Sequence, residues 1–124
     1  MLVRDAEKAG QKAYLYHFTR VPPMLRERKL GASHAAEIPY VFGNMNERAG
    51  FEDKDRDVSK VMSACWVRFA ATGDPNGPGL PEWPAYTAAN DAYMEFGDAT
   101  KAKTDLYKEE CDVMAKRTAT MNDE

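Results

Sequence analysis

The sequence predicts an α/β fold whose sheet is incomplete within these residues, about two short strands with three helices packed on them. Three observations carry this. Ala13-Tyr14-Leu15-Tyr16-His17-Phe18 is a nearly continuous aromatic and aliphatic run, the pattern of a strand buried on both faces. Ala92-Tyr93-Met94-Glu95-Phe96-Gly97 reads as a second short strand. Between them Val58, Val61, Met62, Cys65, Trp66 and Phe69 recur at three- and four-residue steps, one apolar helical stripe. A helix between two strands suggests a parallel pair, while the long Pro-rich return leaves an antiparallel one open.

Taken in order, Leu2 to Ala9 is a short charged helix closed by Gly10. The first strand ends at Val21-Pro22-Pro23, because successive prolines cannot donate to a ladder. Residues 24–37 read as loop, and 37–42 as one helical turn with Pro39 tolerated in its first positions. Asn44 to Lys54 is polar. The main helix spans 57–72, with Asp55 or Asp57 to cap it and Gly73 to end it. Asp74-Pro75-Asn76-Gly77-Pro78-Gly79 is a turn cluster, and Pro81, Trp83, Pro84 and Tyr86 form an extended connection anchored by aromatics. Thr104 to about Lys116 reads as a helix with Leu106, Val113 and Met114 on one face. The whole chain, 1–124, is a single partial domain, with 117–124 a frayed tail.

Two features point to a piece of something larger. A mostly apolar strand needs neighbours on both edges, yet only one other strand is on offer. Trp83 and Tyr86 sit in connecting segments with little core to receive them. The exposed sheet edge left by such a piece is expected to pair with a second copy, giving a homodimer.

The composition is that of an ordinary globular chain, 44% apolar and 30% charged. A net charge of −3 argues against nucleic-acid binding, and the short basic cluster Arg26, Arg28 and Lys29 does not reverse that. There is no apolar run long enough for a membrane span. The first residues lack the apolar core of a secretion signal. Cys65 and Cys111 have no framework or metal spacing, which suggests a reducing, cytoplasmic setting. His17 and His34 could share a metal with scattered carboxylates, but a strand histidine is more often a packed, hydrogen-bonded residue.

The stretch richest in chemistry is Gly31-Ala32-Ser33-His34-Ala35-Ala36-Glu37-Ile38-Pro39-Tyr40-Val41-Phe42-Gly43. Small residues crowd one imidazole, so a backbone or ligand can approach it, and the bulky run behind would fix the loop to something apolar. On this local pattern alone His34 reads either as a catalytic group or as a loop histidine bonded to its neighbours. Ser33 adjoins it, but adjacent side chains in an extended loop point apart.

Together with Tyr14 to Phe18, with Trp66-Val67-Arg68-Phe69-Ala70-Ala71-Thr72-Gly73-Asp74-Pro75-Asn76-Gly77, with Leu80-Pro81-Glu82-Trp83-Pro84-Ala85-Tyr86 and with Tyr93 to Gly97, this stretch resembles the C-terminal region of type-B carboxylesterases. That family includes cholinesterases and bacterial para-nitrobenzyl esterases. The resemblance implies the C-terminal part of an α/β-hydrolase fold and identifies His34 as the base of a Ser-His-acid triad. It implies hydrolysis of small-molecule carboxylic esters through an acyl-serine intermediate, with no metal or cofactor. Chain order in these folds is serine, acid, histidine, and neither a Gly-x-Ser-x-Gly elbow nor a Gly-rich oxyanion stretch occurs here. The serine and acid are therefore expected outside this chain, with Glu37 a structural partner of the loop. Ala35 stands where many family members have glycine. The alternative reading is a non-catalytic folded remnant that associates with itself.

Overall fold

A computed structural model describes residues 2–122. In chain order they form α1 (Leu2–Lys8), β1 (Tyr16–Phe18), α2 (Pro23–Glu27), α3 (Ile38–Val41), a 3-10 turn (Glu47–Ala49), α4 (Asp53–Thr72), β2 (Ala92–Phe96), β3 (Lys101–Thr104) and α5 (Lys108–Asn122). The sheet order is β1-β2-β3. β1 runs parallel to β2, with Tyr16 opposite Met94 and Phe18 opposite Phe96, and β3 returns antiparallel.

The expectation of two strands is corrected by β3. Lys101-Ala102-Lys103-Thr104 carries almost no apolar signal because it is an exposed edge, where lysines discourage further pairing. The central strand is accordingly β2, four of whose five residues are buried, and not residues 13–18. β1 is only three residues long, because the backbone before it serves another partner. The Ala13 carbonyl accepts from the Tyr86 amide at 2.8 Å, and that of Leu15 accepts from Trp83 Nε1 at 3.1 Å as well as from the Met94 amide. The Pro-rich return therefore packs back onto the strand, and Trp83 and Tyr86 are both buried in this chain after all.

The core is Tyr40, Val58, Met62, Cys65, Trp83, Met94 and Phe96, with α4 laid over one sheet face. Edge-on aromatic contacts knit it together: Phe18 to Tyr40 at 4.9 Å between centroids, Trp83 to Phe96 at 5.5 Å, Tyr16 to Trp66 at 5.1 Å. Such pairs contribute about 0.5–1.5 kcal/mol each beyond burial. Phe69 lies at the margin of this stripe, half exposed against Tyr14.

Helix boundaries differ where side-chain chemistry intervenes. Pro23 opens α2 within the segment expected as loop, since proline's fixed φ suits a first helical turn. α4 begins four residues before the expected start: Glu52 is its N-cap, and Asp55 reaches back to accept from the Glu52 amide at 2.7 Å. Gly73 ends it in the left-handed conformation, as expected. α5 cannot begin at Thr104, because Asp105 and Tyr107 both adopt positive φ. It continues to Asn122 through most of the expected tail, whose last two residues lie outside the described ones. Val113 and Met114 face solvent, 57% and 63% exposed, so the anticipated packed face is absent. Among the described residues no helix is long and apolar enough to cross a membrane.

Candidate active-site loop

After Phe18 the chain leaves the sheet at the carboxyl end of β1, the amides of Thr19 and Arg20 both donating to the Phe96 carbonyl. Arg20 is buried, and its guanidinium binds three carboxylates. Nε donates to Asp55 Oδ1 at 2.6 Å, Nη1 to Asp98 Oδ1 at 2.7 Å and Nη2 to Glu52 Oε2 at 2.8 Å. These hold together the end of β1, the turn after β2 and the start of α4. The hydrogen bond to Asp55, against the opposing effect of burial, holds the guanidinium well above its ordinary value. Burial alone would raise the Asp55 carboxyl. The bonds from Arg20, the Glu52 amide and Tyr40 outweigh it and keep that group ionised below the usual range.

An open cleft lies beyond the carboxyl ends of the two parallel strands, lined by Thr19, Arg20, Lys29, Leu30, Gly31 and Asp98 among others. Open α/β sheets bind their ligands beyond these strand ends. Gly31, at the rim of the cleft, stands three residues before His34. Gly31, Ala32, Ser33 and His34 are all exposed, and among the described residues the imidazole has no hydrogen-bond or ion-pair partner. The turn is closed by Ala36 N–H to the Ser33 carbonyl at 3.1 Å and Ile38 N–H to that of Ala35 at 3.3 Å. Ala35 adopts φ +66°, a conformation that suits glycine and strains a residue with a Cβ.

Behind the turn, α3 is fixed at Tyr40, the one fully buried residue of the bulky run; Phe42 is 79% exposed and anchors nothing. The Tyr40 hydroxyl donates to Asp55 Oδ1 at 2.7 Å, and Ser59 Oγ donates to the Tyr40 carbonyl at 2.8 Å. Ser59 is thus a structural donor. Burial and then the Asp55 charge push the Tyr40 hydroxyl upward. Glu37 precedes α3 without a side-chain capping bond and lies beside the Tyr16 hydroxyl, which burial and this carboxylate both push up.

His17 belongs to a different surface. It lies on β1 opposite Glu95, its ring 6.0 Å from that of Tyr107 and 6.4 Å from that of Tyr93. Among the described residues no cluster of three or more His, Cys, Asp or Glu could hold a metal ion. Both cysteines are free, and burial raises the Cys65 thiol. The sequence did not single out Arg20, and it offered Asp55 only as a helix cap. Asp55 sits in a run of charges from 52 to 57, and nothing local marks it as buried.

Comparison with known proteins agrees with this architecture. Residues 1–114 match the model of the carboxylesterase family. The chain is 32% identical to mouse (Mus musculus) carboxylesterase 1C over 113 residues, covering 89% of this chain and 20% of that protein. Over 97 residues it is 42% identical to human (Homo sapiens) bile salt-activated lipase, covering 74% of this chain and 13% of that one. Among solved structures it is similar to carboxylesterase EST55 of Geobacillus stearothermophilus, with a TM-score of 0.71, 35% identity, and 86% and 22% of the two chains covered. An esterase from Clostridium hathewayi that can hydrolyse aliphatic aromatic polyesters gives a TM-score of 0.71 at 30% identity, with 82% and 20% covered. The chain spans about a fifth of the length of the carboxylesterase relatives it matches. Sequence and backbone agree that its three strands are part of an α/β-hydrolase sheet and that the chain belongs to the carboxylesterase family.

Proposed function

We propose that this chain contributes the general base, His34, to a serine carboxylesterase whose nucleophile and triad acid come from outside these 124 residues. The observation that carries the reading is an exposed, unpartnered imidazole on a turn that follows the carboxyl end of a parallel strand. A neutral imidazole there would take the serine proton as the hydroxyl attacks an ester carbonyl. It would then return that proton to the departing alcohol and repeat the cycle with water to release the acid. The substrates are small carboxylic esters, and no metal or cofactor enters the chemistry. Glu37 is engaged with α3 and Tyr16, so it supports the loop and leaves the triad acid to another segment.

The test uses para-nitrophenyl esters and a fluorophosphonate label. The 124-residue chain alone gives no His34-dependent hydrolysis, because oxyanion donors and an activated serine supply most of the acceleration. Combined with the portion that carries the Gly-x-Ser-x-Gly elbow, it hydrolyses the esters, and His34→Gln abolishes turnover. Burst kinetics with a labelled serine on this chain alone would overturn the reading.

A second reading rests on β1, which carries Tyr16 and Phe18 yet lies at the edge of the sheet, beside a hollow lined by Tyr14, Tyr16, Trp66, Phe69 and Trp83. Alone, the chain would cover that edge by pairing with a second copy, in a non-catalytic role. Light scattering across a dilution series decides: a monomer at every concentration excludes this reading.

A further inference from the structure

We infer that Asp55 is a positioning residue for His34. Between Pro22 and Tyr40 no side chain is fully buried, and Leu30 and Ile38 are half exposed, so apolar packing does not hold the loop that presents the imidazole. What holds it is polar. Arg20, before the loop, and Tyr40, after it, both donate to Oδ1 of Asp55, at 2.6 and 2.7 Å. Residues 21–39 are thereby drawn into a closed loop whose two ends meet on one buried atom. Asp55 is itself immobile: its other oxygen accepts the Glu52 amide at the start of α4, and its side chain is inaccessible to solvent. Further ties run from Ser59 to the Tyr40 carbonyl and from Arg26, within the loop, to Glu52 at 3.2 Å, and the Glu37 carboxylate lies beside the Tyr16 hydroxyl. None of these brings Arg20 and Tyr40 onto a single buried atom, as Asp55 does.

A base must stand within hydrogen-bond reach of the proton it takes, and displacement by about 1 Å can lower turnover by about 10²-fold. Asp55 touches no reacting group. It acts through Tyr40 and Arg20, by fixing where the turn at 33–37 lies relative to the ends of β1 and β2. The role in catalysis rests on the reading of His34 as general base, whereas the role in ordering the loop stands without it.

The test compares Asp55→Asn and Tyr40→Phe in the ¹⁵N-labelled chain by amide exchange and by the His34 ring resonances. Exchange at Ala36 and Ile38, the amides that close the turn, accelerates at least about tenfold relative to core amides such as Met62, and the His34 ring signals shift from their positions in the unsubstituted chain. Protection and ring signals unchanged in both variants would overturn the inference. Tyr40→Phe removes a single hydroxyl, so it carries the test if Asp55→Asn does not fold. In the complete esterase, Asp55→Asn lowers kcat by about 10²-fold with KM nearly unchanged, and Asp55→Glu recovers part of it. An inactive His34→Gln beside a fully active Asp55→Asn sinks the positioning role. An active His34→Gln sinks the base reading instead and leaves the loop measurement to be judged separately.

Discussion

Arg20 and Tyr40, twenty residues apart, donate to the same carboxylate oxygen, Oδ1 of Asp55. Because that oxygen is buried, removing the carboxylate leaves a guanidinium and a phenol without their shared acceptor. Asp55→Ala is expected to cost about 3 kcal/mol, the lower end for breaking a buried ion pair, since Asp98 and Glu52 still face Arg20. Tyr40→Phe loses only one bond to a charged acceptor, about 1.5 kcal/mol. Urea denaturation followed by tryptophan fluorescence measures both.

The same carboxylate sets part of the acid response. Asp55 is held below its ordinary value in the folded state, so it binds its proton more readily when unfolded. Its contribution is therefore fully present above the unfolded value, about pH 4, and is lost as pH falls through the lower folded value. Glu95, beside Lys103, is depressed as well and acts in the same direction. The chain should lose stability steeply below about pH 4. Asp55→Asn, already less stable at neutral pH, should show a shallower acid limb in denaturation curves taken at successive pH values.

Ala35→Gly should stabilise the chain. At φ +66° a methyl group crowds the backbone by about 1–2 kcal/mol, partly offset by the greater freedom that glycine has when unfolded. A net gain of about 0.5–1 kcal/mol in urea denaturation is expected. No gain, or a loss, would show that the turn does not hold this conformation.

Gly97→Ala should destabilise it. A Cβ at Gly97 would run into Thr19 Oγ1, which is committed to Glu95 Oε1 at 3.0 Å, where the chain leaves β1. Overpacking of this kind costs about 1–3 kcal/mol. Removing the hydroxyl with Thr19→Ala should recover part of the loss, a coupling that a double-mutant cycle measures.

Some of this molecule is written in local patterns. The period of Val58, Met62 and Cys65 predicts α4 and its buried face, and Gly73 marks its end, because both depend on neighbours within a few residues. The parallel pairing of β1 with β2 follows from an apolar strand, a helix and a second strand in that order. The order of motifs was enough to place the chain among carboxylesterases, and it is what nominates His34 as a candidate. Other features have no local signature. β3 is polar and is a strand only because β2 offers it an edge. β1 is shortened because a return more than sixty residues away takes its backbone carbonyls. Asp55 reads from its neighbours as a helix cap and no more, until Arg20 and Tyr40 reach it from elements 35 and 15 residues away. A buried charge is stable only beside its partners, and the partners are brought together by tertiary structure alone.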